Sequence, residues 1–341
     1  MVLERIRVVE AQQLPSFMLD MQRLPEHFRS LGSAIENEGL GDRLDGFLAR
    51  RFPFLTRSGW QHRIFSGCLR VNGERAFPAY RLERGDRLDF FHPPSVEPDV
   101  DRGIREIWRD GDVMAIFKPG NLPMHENGPY RKNTFTNLVW ESFGREWSAL
   151  HRLDRETSGI VLCAATPHAR MKLSADWAAR RVHKEYVAIV NGVVARDSWT
   201  ESGAIGDLKE SLIRIKKWVV EGGLDAETGF VALDRGPAHS LLRAVPKTGR
   251  TNQIRIHAAF AGHHLVGDKL YHPDENVFLD YFENGNTSDV QERAGFPRLC
   301  LHAGMLRFTH PVTRAEVEVE APMPPDMDGL WTKLKSPASR D

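Results

Sequence analysis

Residues 151–164 read HRLDRETSGIVLCA. One carboxylate, Asp154, stands in a polar run, and the chain then turns apolar from Ile160 to Ala164 after Ser158-Gly159. A short apolar run entered through such a pair predicts a buried strand behind a polar loop, an arrangement that holds a side chain at the rim of a cleft. Several chemistries could use these residue types. Asp154 and Glu156 are two apart, so they share a face if extended and diverge if helical; a hydrolytic carboxylate pair has weak support. Thr157-Ser158-Gly159 lacks the G-x-S-x-G elbow of a serine nucleophile, and neither phosphate-cradling glycine motif occurs in the chain. His263, His264 and His272 have no carboxylate or cysteine at a familiar ligand spacing, and they read as loop or surface histidines rather than a metal site.

The whole chain sets bounds on these options. Its 341 residues exceed one ordinary core, so two domains are expected. A composition of 41% hydrophobic and 27% charged residues is that of a globular protein. No apolar stretch approaches the roughly 18 residues of a membrane span, and the first residues, MVLERIRVVEAQQ, lack a signal core. Cys68, Cys163 and Cys300 are odd in number and widely spaced, which suits a reducing, cytoplasmic setting without disulfides. Net charge is zero but uneven: from Asp42 to Phe90 there are ten arginines against six acids, and no lysine. Arg-rich basicity suits planar contacts with phosphate and bases, although a solvated surface would look the same.

The elements that position these groups follow from local patterns. Arg43–Arg51 predicts a helix with Leu44, Phe47 and Leu48 on one face. Thr56 or Ser58 can cap a second helix running to about Ser66, and Gly67 stops it. Asn72-Gly73 predicts a hairpin turn, and Gly85-Asp86 turns into a strand over Arg87–Phe91. His92-Pro93-Pro94 breaks regular structure. Further on, Asp112–Phe117 reads as a strand, Ala169–Arg181 as a helix and Lys184–Gly192 as a strand that puts Tyr186, Ala188 and Val190 on one face. Thr251 can cap a helix that carries Arg255 in its first turn and closes at Gly262. Leu299–Pro311 alternates into a closing strand. With no regular βαβ rhythm, the fold class expected is α+β with a mixed sheet.

Two resemblances follow from these residues. The order RLD, TRS, VNG and GD over about residues 41–91 resembles the small α/β RNA-binding domain first described in ribosomal protein S-four. That resemblance implies Arg43, Arg57, Ser58 and Arg63 as RNA-binding residues. HRLDRETSG, KEYVAIVNG, GRTNQIRIH and LCLHAGMLRFTHP, in that order, resemble the RluA family of pseudouridine synthases over roughly residues 105–325. Such enzymes cut the nitrogen-linked glycosidic bond of a uridine in RNA, turn the uracil and form a carbon-linked bond, a reaction that needs no cofactor. The resemblance implies a mostly antiparallel sheet and three catalytic residues. Asp154 is the carboxylate, acting as nucleophile or base. Arg255 keeps it charged and oriented. Tyr186 stacks on the extruded base. Arg152 enters the space the flipped nucleotide leaves, and Leu153, Lys184 and Arg250 join it as substrate-binding residues. Thr157 and Ser158 are expected to bond loop backbone, and Gly159 to allow close approach or an unusual dihedral.

The sequence departs from the family at Asn252, where His is usual, and Gly236–Ala244 is a loose version of the family's strand there. The expected organisation is an unassigned extension over 1–40, the RNA-binding domain over 41–91, a linker over 92–104, the catalytic domain over 105–330 and a tail over 331–341. The expected partner is structured RNA, ribosomal in preference to transfer RNA, bound by a monomer with no membrane and no metal. A transfer-RNA enzyme, or a non-catalytic RNA-binding or ribosome-assembly protein on the same fold, are the competing readings.

Overall fold

A computed structural model describes residues 28–30, 39–52, 56–91, 97–211, 213 and 215–336. Its contacts divide the chain into Met1–Val96 and Glu97–Asp341. The first unit runs β1 (Phe28–Ser30), α1 (Leu44–Arg51), α2 (Arg57–Phe65), β2 (Leu69–Val71), β3 (Glu74–Arg75) and β4 (Leu88–Phe91), with sheet order β1-β4-β2-β3. Helix α1 buries Leu44, Phe47 and Leu48, the face its spacing predicts. Of the two candidate caps for α2, Thr56 serves: its hydroxyl accepts from the Gly59 amide, while the Ser58 hydroxyl bonds to that of Thr56. Asn72 and Gly73, at φ 56° and 81°, make the two-residue turn between β2 and β3, a conformation that suits Asn-Gly and few other pairs.

The second unit begins with β5 (Arg105–Asp110), β6 (Val113–Lys118), α3 (Phe135–Phe143), β7 (Ser148–Ala149), β8 (Ser158–Ala164), α4 (Pro167–Ala178), β9 (His183–Asn191), β10 (Ser198–Glu201), β11 (Ile205–Asp207) and β12 (Lys217–Val219). It continues through β13 (Thr228–Arg235), β14 (His239–Pro246), α5 (Gln253–Phe260), α6 (Asn276–Asn284), α7 (Ser288–Ala294), β15 (Leu301–Thr309), β16 (Glu316–Glu320) and α8 (Pro325–Leu334). Ten strands form one sheet in the order β10-β13-β14-β9-β15-β8-β6-β5, with β16 on β15 and β7 on β8. Among the described residues its one parallel pair is β15 with β8. This mixed, mostly antiparallel sheet is the α+β architecture expected.

The opening apolar run becomes β8, buried along its whole length. Ile160, Leu162 and Ala164 pack with Ala169 and Leu173 of α4 on one face. Val161 and Cys163 pack with Phe135, Leu138 and Leu153 on the other. Both faces are covered, so the strand reads as continuous rather than alternating hydrophobicity.

Several boundaries differ from the sequence reading. Helix α4 starts at Pro167 behind a Thr166 cap and ends at Ala178, because Pro suits the first turn and Arg180 adopts φ 59°. Helix α5 is not capped by Thr251: Asn252 occupies that place at φ 57°, with its side chain turned to other partners. Helix α8 runs past 330 because Met327 and Trp331 are buried against Ile189 and Val266. The second unit starts before 105, since Glu97 accepts from the amides of Lys132 and Asn133. Residues 1–27 and 31–38 of the expected extension, 92–96 of the linker and 337–341 of the tail lie outside the described residues. Among the described residues no helix is long and apolar enough to cross a membrane.

Candidate active site

The Asp154 loop connects β7 to β8, and its neighbours fix it on every side. The His151 ring accepts from the Leu162 amide at 3.0 Å and stacks on Trp177 at 4.2 Å; burial pulls its pKa down to about 3, so it is neutral. The carbonyl of Arg155 accepts from the Leu122 amide at 3.0 Å and from Lys118 Nζ at 3.1 Å. Lys118 also donates to the carbonyls of Pro119 and Leu122. Burial lowers its pKa to about 7, while the nearby Asp154 charge opposes that shift, and three carbonyls occupy its three donors in the ammonium form. The Glu156 carbonyl accepts from Arg298, and its carboxylate from Lys269, Arg155 and the Leu299 amide. Gly159 has φ 127°, and a Cβ there would lie 2.3 Å from the Ala303 carbonyl oxygen. Both reasons expected for this glycine therefore apply, and the close approach is what lets β15 run beside β8.

Above this loop lies a cavity of about 380 Å³ lined by Asp154, Tyr186 and Arg255, within the range of small-molecule sites, about 300–1,000 Å³. Arg255 Nη1 donates to Asp154 Oδ2 at 3.1 Å, joining residues 101 positions apart. Asp154 is 35% exposed, whereas Arg255 is 12% exposed. Tyr186 on β9 pairs across the sheet with the small residues Ala244 and Ala303, and it lines the cavity. Burial first, then the Asp154 charge, pushes its phenol well above the ordinary tyrosine range, so it stays protonated.

The remaining substrate-binding candidates line the same cavity. Arg152 is exposed, and Leu153, at 4% exposure, is floor rather than rim. Lys184 Nζ sits 5.4 Å from the Trp177 ring centroid, its ammonium pulled below the ordinary lysine value by burial. Arg250 Nε donates to the Asp225 carbonyl at 2.9 Å.

Two expectations for the loop fail. Ser158 bonds the His302 ring at 3.0 Å rather than loop backbone, because the β8–β15 pairing brings those two residues side by side. The buried Thr157 hydroxyl has no partner among the described residues; only the backbone amide of Thr157 closes the turn, onto the Asp154 carbonyl. Asn252, the departure from the family, accepts from Arg255 Nη1 at 3.0 Å and donates to the Tyr271 hydroxyl at 3.2 Å. Sequence reasoning missed Asp268, which accepts two hydrogen bonds from Arg255. Its signal was a lone acid in a glycine turn, Val266-Gly267-Asp268. His263, His264 and His272 belong to no metal-binding group among the described residues.

In the first unit, Asp45 is fully buried and accepts from Arg43, Arg57 and Gln61. Burial alone would raise its pKa, but these donors outweigh it and hold the carboxyl well below the usual range. Arg43 and Arg57 are thus anchored at one end while staying 44% and 56% exposed. Ser58 is exposed beside them. Arg63 is not brought to this cluster: six residues past Arg57, it lies about 240° round α2. Because Arg43 and Arg57 also satisfy a buried acid, glutamine is the informative replacement, as it keeps amide donors. Changing both to Gln is expected to weaken RNA binding and lower the slope of log Kd against log salt by about 1.5–2. Filter binding across a salt series measures it, and an unchanged slope rejects the contact.

Comparison with known proteins identifies the fold and the family. By fold, the chain is similar to the solved structure of Human RNA Pseudouridylate Synthase Domain Containing 1, with TM-score 0.52 and 24% identity over 74% of this chain and all of that one. By sequence, residues 112–260 match the RNA pseudouridylate synthase family and residues 42–88 match the S4 domain. The Ribosomal large subunit pseudouridine synthase D of Xanthomonas campestris pv. campestris is 30% identical over 90% of this chain and 93% of its own. The protein of the same name in Pseudomonas aeruginosa is 31% identical over 85% of this chain and 91% of its own. The chain belongs to the RNA pseudouridylate synthase family: it is an isomerase acting on RNA, with an S4 domain ahead of its catalytic domain.

Proposed function

We propose that the protein isomerises a uridine in large-subunit ribosomal RNA, in the cytoplasm, with Asp154 as the catalytic carboxylate. The observation that carries this reading is Asp154 itself: a single acid facing an open cavity and paired with one guanidinium at 3.1 Å. Glu156, the other acid of the loop, is spent on Lys269, Arg155 and Leu299 and cannot share the chemistry. In this reading the uracil ring lies against Tyr186, and Arg255 holds the carboxylate in its aim. Arg152 enters the space the flipped nucleotide leaves, Lys184 and Arg250 neutralise phosphates at the rim, and Leu153 supports the floor. The ribosomal substrate is supported by relatives named for the large subunit that align over most of both chains. Three buried, unpaired thiols suit the reducing compartment where ribosomes are built.

The test uses transcripts carrying uridine tritiated at ring carbon 5, since forming the new carbon-linked bond releases that tritium. The purified protein is expected to release tritium from large-subunit ribosomal RNA and not from transfer RNA. Release from transfer RNA alone overturns the substrate, and binding of both without release favours the non-catalytic reading.

A further inference from the structure

Arg255 is shared unequally between two acids. Its Nε and Nη2 donate to the two oxygens of Asp268 at 2.7 and 2.8 Å, a bidentate pair, whereas Asp154 receives a single bond at 3.1 Å. Asp268 is fully buried, and its Oδ1 also accepts from the Tyr271 amide at 3.0 Å. Its turn is closely packed: Gly267 has φ 78°, and a Cβ there would lie 1.9 Å from the Arg298 carbonyl oxygen. The Tyr271 ring sits 5.0 Å from the guanidinium carbon, and the Asn252 side chain bridges Arg255 to the Tyr271 hydroxyl. Burial would raise the Asp268 pKa, but Arg255 outweighs it and keeps Asp268 ionised. One cation thus faces two anions, and the group as a whole carries one negative charge.

We propose that Asp268 is the standing counter-ion of Arg255, a positioning residue that keeps the guanidinium in place while Asp154 loses its charge during the reaction. The inference rests on Asp154 being the catalyst. Whether Asp154 bonds to ribose carbon 1 and displaces the uracil nitrogen, or takes the proton of ribose carbon 2 as that glycosidic bond breaks, its charge goes from −1 to zero and the negative charge leaves with the uracil. Were Asp154 the sole partner, that step would strand a buried guanidinium without a counter-ion, and the stranding would add to the barrier. With Asp268 holding two of its edges, Arg255 remains paired and aimed before and after the step. Asp154 is then free to give up one weak contact.

Two measurements test this. In thermal melting of the full chain, Asp154→Asn is expected to shift Tm by less than about 2 °C and Asp268→Asn to lower it by about 5–10 °C. The double variant should fall below the sum of the two. Equal and additive losses from the single variants overturn the proposal. In tritium release, Asp268→Asn is expected to lower kcat about a hundredfold with RNA affinity nearly unchanged, the effect of a misaimed group. Adding it to Arg255→Gln should cost nothing further, because Asp268 acts only through Arg255; effects that multiply reject the proposal. If Asp268→Asn alone does not fold, the pair Asp268→Asn with Arg255→Gln removes both buried charges and should fold again. Failure to recover would mean that Asp268 serves something other than Arg255. Should Asp154→Asn retain full turnover, the assignment of the catalyst fails, while melting still decides which acid holds Arg255.

Discussion

Asp154→Asn is expected to reduce tritium release from ribosomal RNA by at least about 10⁴-fold, the scale on which enzymes lose turnover when a nucleophile or its base is removed. RNA affinity should stay nearly unchanged. The substitution is isosteric, and its amide oxygen can still accept from Arg255 Nη1, so the cavity wall keeps its shape. Arg255 does not depend on Asp154 for its place, since Asp268 takes two of its donors, and the folded chain therefore survives the loss of one charge. What Asn cannot do is attack carbon or accept a proton at neutral pH. Gel retardation with the same transcripts checks binding, and circular dichroism checks the fold. Wild-type release from a folded, RNA-binding Asp154→Asn protein would remove Asp154 from the chemistry.

Why Asp154 and Arg255 could be found before the structure was known, and Asp268 could not, comes down to what spacing encodes. The strand behind Asp154 was legible because Ile160–Ala164 is apolar and short, and Ser158-Gly159 marks its start. The helix carrying Arg255 was legible from Ile254 and Ala258, which are buried at helical spacing. Their meeting 101 residues apart is a tertiary fact, set by α5 packing beside β13 and β14; only resemblance to a family anticipated it. Asp268 lies in a turn with no period at all, where its partner depends on the path of the loop. The same reasoning explains the missed cap of α5. Both Thr251 and Asn252 carry side chains that can cap a helix, but Asn252 tolerates the left-handed backbone there and makes two hydrogen bonds within the site. In the first unit, α1, the cap at Thr56 and the Asn72-Gly73 turn were legible because each is a local signal. The burial of Asp45 beneath two arginines was not, since an acid in the first turn of a helix reads equally well as solvated charge.

Glu156 is where the sequence was most ambiguous and where the second large effect is expected. Two residues from Asp154, it could have been the partner of a carboxylate pair. The structure gives it a different role. At 15% side-chain exposure it neutralises Lys269, itself 3% exposed, and Arg155. Arg155 in turn reaches the hydroxyls of Tyr130 and Tyr281, so one carboxylate ties the Asp154 loop to α6 and to the segment entering β15. Glu156→Ala leaves buried Lys269 and half-buried Arg155 short of a partner and is expected to cost about 3–5 kcal/mol of stability. The loop would loosen with it, and a shift of about 1 Å in Asp154 could cost a further hundredfold in turnover. The sign of the pH dependence follows from the charges. Burial raises the Glu156 pKa, but Lys269 and Arg155 outweigh it, so the folded value lies below the ordinary 4.5. The stabilisation is then fully present above about pH 4.5 and is lost as pH falls through the lower folded value. Urea unfolding of wild type and Glu156→Ala should therefore differ most near neutrality and converge in acid. A difference that stays constant down through pH 3 would mean that packing, not charge, is what Glu156 contributes, and the loop would have to be held by Lys118 and Arg298 alone.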